Sequence, residues 1–426
     1  MTSLVVEPAP GGLGGRLRVP GDKSISHRAL LLAARAEGRS RLRGLSAGAD
    51  VGRTRRAVAA FGARCQGRPP GPVTVAGGAR RLHEPAGVVD VGNSGTAMRL
   101  LSGFAAAVDG LTILQGDRSV NGRPMERVVF PLRTMGAGVD GREGGRWPPL
   151  AVRGGRLAGI DYRPPVASAQ VKGAVLLAGL AAEGATSVTE AVPTRRHTEE
   201  LLAAAGADVT VTGTTVTVRP SPLQPLDLDI PGDPSQAAFW VVAACLVPGS
   251  DLVLEGVYVG PGRATFLDVL RRMGADITVV AGDPGAATAD IRVRHRRLAA
   301  TDVGGQEVPG LIDEIPVLAV AAALAEGTTT FTGAGELRVK ESDRIATVAS
   351  QLAAVGADVE PLADGLVVRG RPALGGGSVS SHGDHRVAMA MAVAGLAAGG
   401  PVRIEGWAAV DTSYPGFQED LHRCLS

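Results

Sequence analysis

Aromatic side chains make up only 3% of this 426-residue chain, too few to build a surface on which bases could stack. An excess of charge is also missing, because 44 Lys and Arg face 42 Asp and Glu for a net +2, with no long basic run. Both features argue against a nucleic-acid partner, so any affinity for an anion must come from local placement of cations. Cysteine is scarce: Cys65, Cys245 and Cys424 are far apart and odd in number, without CxxC or Cys/His spacing. They support neither a disulfide framework nor a zinc site and read as small buried hydrophobes. Apolar runs such as Val241–Val247 are far too short to span a bilayer. The first residues lack the basic-then-apolar layout of a secretory signal and the character of a transit segment. The expectation is a soluble, cytoplasmic protein with no membrane partner.

Glycine and proline, in contrast, are plentiful, at 60 and 28 residues. That is high for a globular chain but below the level of low complexity, and 45% hydrophobic residues exclude disorder. The length predicts two or three domains, each with its own core.

The glycines recur. A phrase in which a helix-like stretch ends at Gly and a strand-like run follows occurs six times, as in AEGRSRLRGL, VDGLTILQGD and AEGTTTFTGA. Its glycines are Gly38, Gly110, Gly184, Gly249, Gly327 and Gly399. A second phrase, as in MGAGVD and MGADITV, interleaves five times at Gly62, Gly136, Gly206, Gly274 and Gly356. A residue just past a helix often takes the left-handed conformation, which only glycine adopts without steric penalty. Helical spacing at Leu201, Leu202 and Ala205, and alternation at Val209, Val211, Val216 and Val218, complete each unit. Each unit thus has two helices, each followed by strand, over about 70 residues, and several such units must pack to close a core.

Polar clusters sit before apolar helices. In VPGDKSISHRALLLAA (19–34) the turn Pro20-Gly21-Asp22 precedes a helix expected from about Ser26, with Lys23, Ser24 and Arg28 around its N-terminus. Unpaired N–H groups and two cations suit a phosphate or carboxylate there, although an ordinary capped helix would read the same. Asp22 excludes a P-loop, and GGLGGRL has Leu17 where a dinucleotide motif needs glycine. Asn93, Ser94, Gly95 and Thr96 form a second cluster, either an N-cap or a close backbone approach to ligand. Arg123-Pro124 predicts an extended backbone aiming Arg123. Ser168 and Gln170 open a fourth helix. In ELRVKESDRIATV (336–348), Lys340 and Arg344 would share a helical face with Glu341 one position round, or simply belong to a solvated ion-paired helix. Asp313-Glu314 enters another apolar helix, where Asp313 is either a cap or a functional carboxylate. Asp384, His385 and Arg386 open the last, and the HGDH spacing fits no metal-ligand pattern. Five of the six clusters lie at similar phases of the repeat, which favours a substrate with several negative charges.

In order, PGDKSISHR, GNSGTAMR, GRPM, SAQVK, LRVKESDR and DHR resemble the enolpyruvyl transferases along nearly the whole chain. The resemblance implies an α/β fold of two similar domains, each of three βαβαββ-type units around a pseudo-threefold axis. One domain would span 21–229 and the other 1–20 with 230–426, the chain crossing near Pro20-Gly21 and Asp229–Pro231, and closing on substrate. It implies the branch that transfers the enolpyruvyl group of phosphoenolpyruvate to the 5-hydroxyl of shikimate 3-phosphate. That reaction runs through a tetrahedral ketal phosphate without metal or organic cofactor, in the shikimate pathway to chorismate and the aromatic amino acids. A monomer is expected.

Carried onto this sequence, Ser24 and Arg28 would hold the shikimate carboxylate, and Ser168 with Ala169 and Arg195 the ester phosphate. Asp313 and Lys340 would meet the ring hydroxyls, with Lys23 and Gln170 also reaching this substrate. Lys23, Gly95, Arg123, Gln170, Arg344 and Arg386 would surround phosphoenolpyruvate. Asp313 would be the general base, with Glu341 and Lys23 moving protons at the methylene carbon and the leaving phosphate. Some relatives have Ser-Ser where this chain has Ser168-Ala169, so one hydroxyl is missing here; Glu336 and Thr412 stand where some relatives have Asn and Lys, and those two contacts are not carried over. Gly95 in place of alanine predicts inhibition by glyphosate. The sister branch acting on UDP-N-acetylglucosamine has Lys-Asn where this chain has Lys23-Ser24, and a Cys in the loop that here reads GDRSVNGRP with Arg118. A non-catalytic anion-binding repeat protein would have lost Asp313, Glu341 or Lys23, and all three are present.

Overall fold

A computed structural model describes residues 3–282 and 287–425. Contacts divide the chain into an inserted unit, residues 21–230, and a flanking unit built from the residues up to 20 and those from 231 on. The break lies one residue beyond the expected 229. Ile230 belongs to the inserted unit because its N–H donates to Arg43 O at 2.9 Å.

Each unit is built around three buried helices. In the inserted unit these are α1 (Lys23–Arg35), α2 (Gly95–Ala106) and α3 (Ala169–Gly179). In the flanking unit they are α4 (Pro234–Leu246), α5 (Ile315–Ala323) and α6 (His385–Leu396). Ala, Leu, Val and Met cover most of their circumference, as a helix surrounded on all sides requires. In the flanking unit α4, α5 and α6 pack pairwise on one another. In the inserted unit α2 packs on both α1 and α3. Side chains of α1 reach both ends of α3, with Arg28 Nη2 donating to Ala169 O at 2.9 Å and Arg35 Nη2 to Leu180 O at 3.1 Å.

Outside the helices, one sheet plan repeats. A strand pairs in parallel with the next strand of its unit, which pairs antiparallel with a hairpin that follows an outer helix. In the second sheet the order is Val89–Gly92, Gly110–Gly116, Trp147–Gly154, Gly138–Gly141. Four sheets have this four-stranded order. In the fifth, the parallel edge is reduced to isolated bridges, Ala299 with Glu326 and Val303 with Phe331. In the sixth, Ser3–Val6 supplies the antiparallel strand, pairing with Val402–Glu405 from Ser3 opposite Glu405 to Val6 opposite Val402. The first and fourth sheets take their parallel strands from Asp227–Asp229 and Gly14–Leu17, the segments that lead into the two crossings.

The repeated glycines explain the turns. Gly38, Gly110, Gly184, Gly249 and Gly327 of the first phrase, and all five of the second, have φ between 72° and 114°. Gly399 does not share this left-handed conformation.

Two local expectations change. Helix α1 starts at Lys23 and not near Ser26, because Asp22 caps it by accepting from Ile25 N at 2.8 Å. Of the cysteines, Cys245 and Cys424 are buried but Cys65 is only half-buried. No helix among the described residues is long and apolar enough to cross a membrane.

Candidate functional site

In the inserted unit, the N-terminal ends of α1, α2 and α3 carry the residues singled out in the sequence. Lys23, in the first turn of α1, pairs through Nζ with Asp50 Oδ2 at 2.6 Å. One turn later Arg28 is almost fully buried and held by three oxygens. Its Nε donates to Thr198 Oγ1 at 2.7 Å, Nη1 to Ser24 O at 3.0 Å and Nη2 to Ala169 O at 2.9 Å. Between them His27 is buried with Nδ1 2.7 Å from Thr54 Oγ1. Burial, reinforced by the charges of Lys23 and Arg28, holds His27 well below the usual imidazole range, so the ring is neutral.

Ser94 caps α2 by accepting from Ala97 N at 3.1 Å, and Ser168 caps α3 by accepting from Val171 N at 3.4 Å. Both serines therefore act as N-caps, and for Ser168 the bond is long. Gln170 ties α3 to α2: its Nε2 donates to Thr96 Oγ1 at 2.9 Å and its Oε1 accepts from Arg99 Nη1 at 2.7 Å. Arg123 has φ −97° and ψ 136°, the extended backbone expected before Pro124. A Cβ on Gly95 would lie 2.8 Å from Arg123 Nη1, so the glycine lets the guanidinium lie against the start of α2. Arg195 is half-buried on the segment between strand Thr186–Thr189 and helix His197–Ala204.

The flanking unit gathers its charged residues around Arg344. This guanidinium is 1% exposed. Its Nε donates to Asp384 Oδ2 at 2.8 Å, Nη1 to Asp313 Oδ1 at 3.3 Å and Nη2 to Glu341 Oε2 at 2.5 Å. Burial by itself would lower its pKa, but the charges of Asp384, Glu341 and Asp313 outweigh that and raise it. Burial likewise pushes the Asp384 carboxyl up, yet the Arg344 charge prevails and holds it below the usual range. Asp313 meets two further cations. Lys340 Nζ donates to its Oδ1 at 3.3 Å, and Arg386 donates to its carbonyl at 2.9 Å with Nη2 3.9 Å from Oδ2.

Three expectations about these residues need revision. Lys340 and Arg344 do not share a helical face: Gly335–Val339 is a short 3-10 turn, Asp343 is the N-cap, and the helix runs Arg344–Ala354. Asp313 brings the two cations together in space instead. Asp313 is not a helix cap either, since α5 starts two residues later at Ile315. The helices after Arg123 (Glu126–Thr134) and at Arg344 are outer ones, so their clusters lie at a different phase of the repeat from α1, α2, α3, α5 and α6.

Sequence reasoning missed Asp50, Thr198 and the buried group at the start of α4. There Asp233 accepts from Ser235 N at 2.8 Å and from Arg263 Nη2 at 2.9 Å, while Ser235 Oγ donates to Glu314. A signal existed: Pro231-Gly232-Asp233-Pro234-Ser235 repeats the phrase Pro20-Gly21-Asp22-Lys23-Ser24.

With this geometry in hand, comparison with known proteins is decisive. Residues 8–421 match the family profile described as EPSP synthase (3-phosphoshikimate 1-carboxyvinyltransferase). The chain belongs to the EPSP synthase family. A 3-phosphoshikimate 1-carboxyvinyltransferase of Gloeobacter violaceus is 54% identical, covering 96% of each chain. One of Bacillus thuringiensis is 46% identical over 99% of each. Among solved structures, an EPSP synthase from Acinetobacter baumannii superposes with a TM-score of 0.87 at 42% identity, covering 99% of this chain and 98% of that one. The enolpyruvyl transferase NikO from Streptomyces tendae matches with a TM-score of 0.78 at 18% identity, a likeness of fold alone. Within this EPSP synthase family member, Thr412, one of the departures from the motif pattern, donates its hydroxyl to Ala409 O at 2.8 Å.

Proposed function

We propose that the chain transfers the enolpyruvyl group of phosphoenolpyruvate to the 5-hydroxyl of shikimate 3-phosphate and releases inorganic phosphate, a step of the shikimate pathway to the aromatic amino acids. The observation that carries the mechanism is one half-buried carboxylate, Asp313, in contact with Lys340 and Arg344 and within 3.9 Å of Arg386. Cations at that range keep a carboxylate ionised, as a general base for a hydroxyl must be.

Asp313 takes the proton of the 5-hydroxyl while a proton is delivered to the methylene carbon of phosphoenolpyruvate. The oxygen attacks the carbon that becomes cationic, giving a tetrahedral ketal phosphate. Removal of a methyl proton and expulsion of phosphate complete the transfer. Glu341 and Lys23 serve these proton transfers, at the carbon and at the departing phosphate. Arg344, Arg386, Arg123 and Lys23 supply fixed positive charge for the phosphate and carboxylate of phosphoenolpyruvate, Gln170 adds its amide, and Gly95 leaves room. Ser24 and Arg28 hold the shikimate carboxylate, and Ser168, Ala169, Gln170 and Arg195 its phosphate. Preorganisation supports this assignment. Arg28, Gln170 and Arg344 are each locked by at least two hydrogen bonds, so little reorganisation is needed when charge develops. The enzyme works as a cytoplasmic monomer, and glyphosate inhibits it.

The test is phosphate release from phosphoenolpyruvate with shikimate 3-phosphate or UDP-N-acetylglucosamine as acceptor, for the wild type and Asp313→Ala. Release with the shikimate ester alone, lost in the variant, is the expected result. Release with only the sugar nucleotide assigns the sister reaction, and silence with both from a folded sample leaves a binding protein.

A further inference from the structure

Helix α3 carries a buried cation that none of the roles above uses. Lys172 is 1% exposed, and its Nζ lies 2.7 Å from both Glu190 Oε2 and Glu199 Oε1, themselves buried. Three charges withdrawn from water are costly to hold unless each is well paired, so a buried triad is weak evidence of added stability and calls for another account.

Each glutamate leads to a residue of the shikimate subsite. Glu199 follows Thr198, whose hydroxyl accepts from Arg28 Nε at 2.7 Å. Glu190 accepts the Thr194 N–H at 3.2 Å and the Thr194 hydroxyl at 2.5 Å, which anchors the backbone immediately before Arg195. The residue after Lys172 shows how tightly the parts meet. A Cβ on Gly173 would come within 3.0 Å of Thr198 Oγ1 and 3.3 Å of Arg28 Nη2.

We propose that Lys172, with Glu190 and Glu199, is a positioning residue for shikimate 3-phosphate: the ion triad fixes Thr198, and through it Arg28, and fixes Thr194, and through it Arg195. The proposal rests on the roles given above to Arg28 and Arg195. It predicts a defect confined to one substrate, because the phosphoenolpyruvate-facing side chains of the same unit are held elsewhere, Lys23 by Asp50, Arg123 by Ser119 and Gln170 by Thr96 and Arg99.

The experiment compares the full chain with Thr198→Val, Lys172→Met, the double variant and Lys172→Arg, by steady-state kinetics and by calorimetric titration with shikimate 3-phosphate. Thr198→Val should raise KM and Kd for shikimate 3-phosphate about fivefold, the worth of about one hydrogen bond, with kcat and KM for phosphoenolpyruvate within about twofold. Lys172→Met should raise the same two constants about tenfold, and the double variant should be no worse, since both act on one guanidinium. Lys172→Arg should recover most of the affinity. Multiplying effects in the double variant, or an equal loss in KM for phosphoenolpyruvate, would overturn the proposal. If Lys172→Met does not fold, Glu190→Gln, which leaves the Lys172–Glu199 pair, takes its place. Unchanged KM for shikimate 3-phosphate in both Glu190→Gln and Thr198→Val then overturns it. A wild-type chain that neither binds nor turns over shikimate 3-phosphate overturns the functional reading, and this one with it.

Discussion

The two units share a sheet plan and an opening phrase but use their helix ends differently. Pro20-Gly21-Asp22 and Pro231-Gly232-Asp233 each end in an aspartate that caps the next helix. In the inserted unit the phrase continues into Lys23 and Arg28, with Asp50 as the acid on Lys23. In the flanking unit Pro234 follows, and the helix end is covered from within by buried Arg263, lying between Asp233 and Glu314. The flanking unit places its charges at α5, α6 and the Arg344 turn, where three carboxylates meet three cations. The inserted unit thus sets cations at its helix starts, while the flanking unit gathers carboxylates and cations in equal number around Arg344; in the proposed function the first mainly holds the anionic ester and the second carries the general base. What distinguishes them at these points is the handful of side chains at each helix start, set on a shared sheet plan.

The largest effect that could break this division is kinetic. Asp313→Asn should lower kcat by about 10³-fold, within the usual range for a general base, with KM for either substrate changed little. If an inserted-unit variant such as Arg28→Met lowered kcat as much without raising KM, the division into binding and chemistry would fail. Next comes Arg344→Met, which leaves Asp313, Glu341 and Asp384 facing one another without their shared cation. A loss of about 3–5 kcal/mol in denaturant unfolding at pH 7 is expected. The loss should shrink toward pH 5 as the stranded carboxylates take up protons.

Smaller effects sharpen the comparison. Gly95→Ala drives a methyl against Arg123 and should raise KM for phosphoenolpyruvate about tenfold, equivalent to about 1.4 kcal/mol, while weakening glyphosate inhibition. A wild type fully resistant to glyphosate at normal phosphoenolpyruvate affinity would contradict the role of Gly95. The two units should also respond to acid in different windows. His27 stays neutral when folded, so below its unfolded value near 6.5 only the unfolded chain gains the proton, and stability falls with pH. That fall should be seen between pH 7.5 and 5.5 in unfolding titrations, and His27→Gln should abolish it. Asp384 has a depressed folded value, so its contribution is intact above about pH 4 and is lost only as pH falls further, through that folded value.

Much of the architecture is legible because it depends on local backbone needs. The glycines that end helices had to be glycines, and ten of the eleven repeated ones adopt the predicted left-handed conformation. Helix-start residues were legible for the same reason, since caps and turns act over three or four positions. What escaped depends on distance. Nothing local to VKGAVLL says that Lys172 meets Glu190 and Glu199, and nothing local to Arg263 says that it lies beside Asp233. The Lys340–Arg344 pair was placed on one helix face by spacing, but the turn before Arg344 breaks that helix and Asp313 supplies the connection.

The strand at Ser3–Val6 has a consequence for the order of synthesis on the ribosome. Among the described residues, every strand of the inserted unit pairs within residues 21–230, so it can fold while the remainder of the chain is still being made. Leu4 and Val6, buried in the finished protein, leave the ribosome before the rest of their unit and wait roughly 400 residues for their partner strand at Val402–Glu405. The flanking unit, which holds Asp313, Glu341 and Arg344, is therefore completed after the inserted one. A chain truncated before 402 keeps the proposed ligands of the shikimate carboxylate and phosphate but leaves the last sheet of the flanking unit unfinished.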